Sequence, residues 1–343
     1  MAPPAENRFL FTVCQVGSER MLKAELARDY PTLHPAFGRP GLVTWKSTAG
    51  PIGPDFELHS VFARAYGAAL GPARTVEEAV AIAARIGEGN PLRLHVFERD
   101  PIAAAEENGR AAEIRASMLA APGIQFLDGE RAEPGDRVVS VAVAGDEPLF
   151  LGHHLHASPH SPWPGGLIPV EMPPEAPSRA YRKLEEALAW SGAPVRRGQV
   201  AIEIGSAPGG ASYALLRRGL DVVGVDPGAM SPVVLASPRF RHVQAAIADA
   251  RLADHAARAD WLVLDVNLAP QIALRAVRGL ASALRPSLRG VLFTLKLNDL
   301  GTAARIPELL RRVLEMGMTE VRATQLPSNR QEVFVYGRSS ADL

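Results

Sequence analysis

Between residues 178 and 338 the chain alternates short apolar runs with stretches of helical periodicity, and no other feature limits its possible folds as tightly. Residues 199–204, 221–225, 261–266 and 290–297 are strand-length runs dominated by Val, Ile and Leu. Residues 178–190, 211–218, 271–284 and 301–316 repeat apolar positions at three- and four-residue spacing, as a helix with one buried face requires. Strands that are apolar throughout belong to a sheet covered on both faces, and crossover helices between them force a parallel arrangement. The expectation is a doubly wound α/β sheet. Residues 319–325 and 332–336 follow one another with no helix between, so that pair can form an antiparallel hairpin.

Upstream the pattern is looser. Strands are expected at 8–14, 41–45, 92–97, 137–143 and 149–155, and helices at 19–29, 76–85 and near 103–119, which reads as mixed α+β. Two Pro-rich stretches, 157–166 (ASPHSPWPGG) and 173–178 (PPEAPS), can continue neither a helix nor a central strand, and the main boundary is placed there, near residue 165. Charge divides across it. Residues 1–165 hold 15 Lys+Arg against 20 Asp+Glu (net −5), and residues 166–343 hold 22 against 17 (net +5). The basic half suits a polyanionic partner. Cys14 is the single cysteine, which excludes an intramolecular disulfide and a cysteine-built zinc site and fits a reducing cytoplasm. No apolar run is long enough to span a bilayer, and the opening MAPPAENRFLF lacks a basic segment followed by an apolar one. Neither a membrane partner nor a secretory signal is expected, and the expected compartment is the cytoplasm.

The segment Glu203-Ile204-Gly205-Ser206-Ala207-Pro208-Gly209-Gly210 follows a strand and opens a helix. Glycine there lets the backbone approach a ligand, and the helix start offers unpaired N–H groups. A lone Gly-rich turn is shared by many nucleotide-binding sheets. Here the order is GxxPGG rather than GxGxxG, and Asp226 ends the next strand (VVGVD), where a carboxylate can hold both ribose hydroxyls of a nucleoside.

Lysine is scarce. Of 37 basic residues only Lys23, Lys46, Lys183 and Lys296 are lysines. Arg fills most positions that need only positive charge, so a retained lysine is a candidate where a group able to lose its proton is needed. Lys183 lies in SRAYRKLEEA before the Gly-rich turn and Lys296 in the strand VLFTLK; Asp265 ends WLVLD and Glu332 begins EVFVY. The turn and these four residues together resemble the FtsJ-type RNA 2′-O-methyltransferases, whose glycine motif is LGxxPGG and whose catalytic tetrad is Lys-Asp-Lys-Glu. The resemblance implies a Rossmann-like methyltransferase sheet and S-adenosylmethionine as cofactor. It also implies catalysis by Lys183, Asp265, Lys296 and Glu332. Cofactor contacts are expected from Glu203, Gly205, Ser206, Ala207, Pro208, Gly209, Gly210, Asp226 and Asp265, with Asp249 (in AAIAD) near the adenine end. A ribose hydroxyl is a weak nucleophile at neutral pH, so a base and tight alignment are what its methylation needs. Lys296 is the candidate base, with Lys183 disfavouring its charged form and the two carboxylates orienting both ammonium groups.

A narrower resemblance extends upstream. SPWPGGLIPVEMPPEAPSRAYRKLEEAL and VDPGAM are similar to the RlmM-type enzymes, which methylate a cytidine ribose of bacterial large-subunit (23S) ribosomal RNA. CQVGSERMLKAEL and FGRPGLVTW resemble the same enzymes' opening module. The resemblance implies a ferredoxin-like module over 1–68, a THUMP-like RNA-binding module over 69–160, a linker over 161–178 and the methyltransferase domain over 179–343. The implied partner is ribosomal RNA or its assembly intermediate. The competing reading is a non-catalytic RNA-binding or ribosome-assembly protein that keeps the fold; the complete tetrad argues against it. His153, His154, His156 and His160 crowd one stretch, but a strand would put His153 opposite His154 and His156, and no Cys or acidic pair is close. No metal is expected, and the stretch is expected as an exposed linker partly facing RNA.

Overall fold

A computed structural model describes residues 7–107, 109–247, 258–297 and 299–340, so Asp249 lies outside the described residues. The chain forms two compact units, residues 1–167 and 168–343.

The first unit is built on one seven-stranded sheet. Its strands are β1 (Phe9–Val13), β2 (Leu33–Arg39), β3 (Leu42–Ser47), β4 (Ala65–Ala73), β5 (Arg93–Glu98), β6 (Arg137–Val143) and β7 (Leu149–Leu155). They lie in the order β2-β3-β1-β4-β7-β6-β5. Its helices are α1 (Glu19–Asp29), α2 (Val76–Gly87), α3 (Pro101–Glu107) and α4 (Ala111–Leu119). Residue 68 falls inside β4, which pairs with β1 on one side and β7 on the other. Two strands lie outside the expected set. β2 carries Pro35 and Gly38 and buries only Leu33, so it shows no alternation to read. β4 is AYGAALGPA, too rich in small residues to read as a strand, for a packing reason. The Phe11 ring lies across this part of the sheet, so a Cβ on Gly152 of β7 would sit 2.0 Å from it and one on Gly67 would sit 3.1 Å away. The single helix expected near 103–119 is two, because the Glu98 carboxylate accepts the Ala111 N–H at 2.8 Å and starts α4 afresh.

The histidine stretch corrects the expectation of an exposed linker. His154 and His156 do share a face, but they are buried, and the His154 ring stacks on His160 at 3.9 Å while His160 stacks on Tyr66 at 4.0 Å. Burial pulls the His95 imidazole down to about 4 and that of His160 to about 3, so both rings are neutral at ordinary pH. Among the described residues no group of three or more His, Cys, Asp or Glu side chains is arranged to hold a metal, and no helix is long and apolar enough to cross a membrane.

The second unit begins with α5 (Ala180–Ser191) and holds β8 (Val200–Ile204), α6 (Gly210–Arg217), β9 (Asp221–Val225), α7 (Pro232–Leu235) and β10 (Phe240–Val243). β11 (Trp261–Asp265), α8 (Pro270–Leu284), β12 (Gly290–Lys296), α9 (Leu300–Ala304), α10 (Ile306–Leu314), β13 (Met318–Thr324) and β14 (Glu332–Ser339) follow. The sheet order is β10-β9-β8-β11-β12-β14-β13, parallel except for β14, which is antiparallel to both its neighbours. The expected helix over 301–316 is broken because Pro307 has no N–H to donate and instead occupies the first turn of α10. α5 lays Tyr181, Leu184, Ala187 and Leu188 into a core with Ala211, Ala214 and Leu215 of α6 and Trp261, Val263, Leu292 and Phe334 of the sheet. That apolar seam fixes the roll of α5, and with it the direction of Lys183.

Candidate active site

The strand order reverses between β8, whose chain crosses to β9, and β11 on its other side. In open α/β sheets a crevice forms outside the carboxyl ends of strands at such a switch point. The Gly-rich turn sits there. Gly205 has φ +85°, and a Cβ on it would come 2.1 Å from the Asp265 carbonyl oxygen, so this turn and the end of β11 touch backbone to backbone. Gly210 admits α5 in the same way, since its Cβ would lie 2.3 Å from Ser178 Oγ and 2.8 Å from the Tyr181 nitrogen.

Asp226, at the end of β9, accepts the Ala207 N–H at 3.2 Å and the Gly228 N–H at 2.7 Å. Its carboxylate therefore ties the two loops of the crevice together. Ser206 and Glu203 are placed differently. Ser206 is buried, its hydroxyl points at the Met230 sulfur 3.6 Å away, and its N–H is donated to the Val225 carbonyl at 3.5 Å. Glu203 is 1% exposed and its carboxyl accepts a hydrogen bond from Ser212 on α6. Burial, reinforced by the charges of Asp265 and Asp226, pushes the Glu203 carboxyl up to about 8, against the opposing bond from Ser212.

Beside the turn, four elements bring the expected tetrad together. Lys183 Nζ lies 2.7 Å from Glu332 Oε2 and 3.4 Å from Asp265 Oδ2. Lys296 Nζ bonds Glu332 Oε1 and lies 3.9 Å from Asp265 Oδ1. Register explains half of this, because Lys296 and Glu332 are directly opposite partners of the antiparallel β12–β14 pair. The lysines and Asp265 are about a fifth exposed, so the cluster opens to solvent on one side. Burial alone would lower the Lys183 pKa, but the Asp265 charge and the Glu332 bond outweigh it and raise it. Burial raises the Asp265 pKa against the pull of Lys183. For Glu332 burial acts upward too, yet the bonds from both lysines win and hold it below the usual carboxylate range. Two ammonium and two carboxylate groups in one cluster sum to zero charge.

Three further residues hold the tetrad and were not among the expected site residues. Glu186, one turn beyond Lys183 on α5, is 3% exposed and accepts both the Ser328 N–H at 2.9 Å and its hydroxyl at 2.7 Å. Asn329, 1% exposed, accepts the Leu326 N–H at 3.0 Å and donates to Glu332 Oε2 at 3.3 Å. The β13–β14 loop is thus clamped to α5 and braced against Glu332. The available signal was the polar cluster PSN just before RQE, beside an acidic residue on the helix face that carries the first lysine.

A doubly wound sheet closed by an antiparallel strand inserted second from its edge, with a glycine turn at the switch point, is the topology expected of a Rossmann-like methyltransferase sheet. Residues 176–322, which lie within the second unit, match the model of the FtsJ-like methyltransferase family. Curated relatives named "Ribosomal RNA large subunit methyltransferase M" match as well. The Halorhodospira halophila protein is 34% identical over 194 residues, 53% of this chain and 53% of its own. The Alkalilimnicola ehrlichii protein is 37% identical over 123 residues, 34% of this chain and 33% of its own. The Xanthomonas campestris pv. campestris protein is 32% identical over 222 residues, 62% and 57% of the respective chains. The chain therefore spans about half the length of the curated relatives it matches.

Proposed function

We propose that this chain methylates a ribose 2′-oxygen of RNA, a cytidine of large-subunit ribosomal RNA in particular. The observation that carries the reading is the convergence of Lys183, Asp265, Lys296 and Glu332 beside the glycine turn. The relatives' shared name directs it to the large ribosomal subunit. The residues at the crevice suit S-adenosylmethionine: a turn without side chains at Gly205 and Gly209, and a partly buried carboxylate, Asp226, for a nucleoside's hydroxyls. Gly205, Ala207, Pro208, Gly209, Gly210, Asp226 and Asp265 would hold it, with Ser206 contributing backbone and Glu203 acting from behind through Ser212. When bound, S-adenosylmethionine supplies an electrophilic methyl group on a cationic sulfonium.

The chain's own residues align the acceptor and take its proton. Lys183, 2.7 and 3.4 Å from its two carboxylates, is held charged and fixes their positions. Lys296 lies farther from Asp265 and is the proposed base: its neutral Nζ accepts the 2′-hydroxyl proton as the oxygen becomes nucleophilic, giving the ammonium that Glu332 is placed to stabilise. The first unit is read as the RNA-binding part, ferredoxin-like over 1–68 and THUMP-like over 69–160, and the cytoplasm as the compartment.

The test is transfer of labelled methyl from S-adenosylmethionine into RNA from cells lacking this gene, followed by nucleoside analysis. Label in 2′-O-methylcytidine of large-subunit RNA is expected. Label in a base or a small molecule rejects the acceptor, and no transfer with intact RNA binding supports a non-catalytic role.

A further inference from the structure

We propose that Arg179, Arg182 and Arg330 form a docking rim for the phosphates on either side of the acceptor ribose, an assignment that rests on the RNA reading above. All three side chains are exposed. Arg179 stands one helical turn before Lys183, its carbonyl accepting the Lys183 N–H at 3.1 Å, so the two share a face of α5. Arg182 is its neighbour on the same turn, next to Lys183 in sequence. Arg330 lies across the cluster, two residues before Glu332 in the clamped loop, where its carbonyl accepts a bond from Gln325 Nε2 at 3.0 Å. The rim is therefore mounted on the two elements that Glu186 and Ser328 lock together, and its spacing is fixed along with the tetrad's.

The charge arrangement gives the rim its selectivity. Several other arginines of this unit are paired with carboxylates: Arg289 with Asp260 at 3.0 Å, Arg311 with Glu315 at 2.9 Å and Arg312 with Glu308 at 2.6 Å. The guanidinium groups of Arg179, Arg182 and Arg330 form no ion pair or hydrogen bond among the described residues, although Arg182 lies close enough to Glu186 for its charge to act on that carboxyl. The tetrad's carboxylates are turned onto its own lysines, so that cluster contributes no net charge. A guanidinium presents its donors as a rigid fork that matches two phosphate oxygens, whereas a base edge or a neutral small molecule offers no such match. The ligand class is the sugar–phosphate backbone of a single-stranded stretch, splayed so that one ribose reaches Lys296.

The test compares wild type with the full-length variant Arg179→Gln, Arg182→Gln, Arg330→Gln. Its control is Arg196→Gln, Arg197→Gln, exposed arginines just before β8 and so at the opposite, amino edge of the sheet. Affinity for a mixed-sequence single-stranded RNA oligonucleotide is measured against salt concentration. Each lost phosphate contact lowers the salt slope by about 0.7, so the triple variant should lose about 2, while the control keeps its slope. KM for RNA should rise about tenfold or more at moderate salt, with kcat and cofactor affinity little changed. A triple variant that keeps the wild-type slope, a control that loses as much, or a wild type that binds no RNA overturns the rim. RNA binding that depends on the three arginines without any 2′-O-methyl product would instead overturn the catalytic reading and leave the rim standing.

Discussion

Replacing Glu203 by Gln should stabilise the protein at neutral pH, although Glu203 lies in the sequence motif of the cofactor turn. The carboxyl is 1% exposed, bonded to Ser212, and pushed by burial from 4.5 up to about 8. A folded-state value above the unfolded one means that the contribution is fully present below pH 4.5 and is lost as pH rises through about 8. At pH 7 the unfolded chain gains nearly the whole free energy of ionising this acid and the folded chain almost none, a difference of about 3 kcal/mol. Gln keeps the shape and an acceptor for Ser212 but has no proton to retain. The variant should therefore unfold on the order of 6–12 °C higher at pH 7. The gap should shrink to about 1 kcal/mol near pH 5, only half a unit above the unfolded value of 4.5, where ionisation stabilises the unfolded chain little. Calorimetric unfolding of both proteins at pH 5, 7 and 8.5 reads this directly. A gap that does not change with pH, or a variant less stable at pH 7, would refute the argument and show an ionised Glu203 with a partner that Gln cannot replace. Cofactor titration of the same variant separates the two possible roles: unchanged affinity means that Glu203 supports the turn from behind, and a large loss without loss of stability means direct contact.

Four other outcomes follow from the same geometry. Lys296→Arg should bind cofactor normally yet transfer no methyl, because guanidinium does not give up its proton; substantial turnover would mean that the position supplies only charge. Gly205→Ala puts a Cβ 2.1 Å from the Asp265 carbonyl at φ +85°, so both cofactor affinity and thermal stability should fall, and retention of both would contradict the close approach. Asn329→Ala removes the brace on Glu332 and leaves the buried Leu326 N–H unpaired, costing about 1–3 kcal/mol; kcat should drop and its pH profile shift, whereas a purely structural role would leave that profile in place. In the first unit, His95 and His160 are neutral with values of about 4 and about 3. Their contribution is present above about pH 6.5 and is lost as pH falls towards those values, by about 2 kcal/mol each at pH 5. A calorimetric midpoint that stays flat from pH 7 to pH 5 would show that these rings are not buried as described.

The second unit was legible in the sequence because each of its signals is local. β8, β9, β11 and β12 are apolar runs, Pro208 with its glycines marks the turn, and scarcity singled out two lysines. The elements that escaped notice have tertiary causes. β4 reads as a small-residue loop until the Phe11 ring is known to cover it, and the histidine stretch reads as an exposed linker until His160 is seen to stack on both His154 and Tyr66. Glu98 splitting α3 from α4 is likewise a contact between residues far from adjacent. At the site, residue types could name the tetrad, but Glu186, Ser328 and Asn329 become visible only once a helix and a loop about 140 positions apart in sequence meet.

That meeting explains why the tetrad's parts are drawn from four elements without being loosely held. Lys296 and Glu332 are fixed to each other by register across β12 and β14, and Asp265 lies on the next strand over. Lys183 alone comes from outside the sheet, so its distance to the carboxylates depends on how α5 is seated. Glu186, three positions on, grips Ser328, and Asn329 beside it holds Glu332. One helix thus sets both the second lysine and the loop that presents its carboxylate partner. A shift of α5 along the sheet would move Lys183 while Glu332 stays with Lys296 on the sheet, so the 2.7 Å contact to Glu332 and the 3.4 Å contact to Asp265 would both change. Lys296, the proposed base, is therefore tied to the sheet and Lys183 to the helix. Packing of α5 on Gly210, which opens α6 directly behind the glycine turn, is the physical link by which order in that turn would reach Lys183.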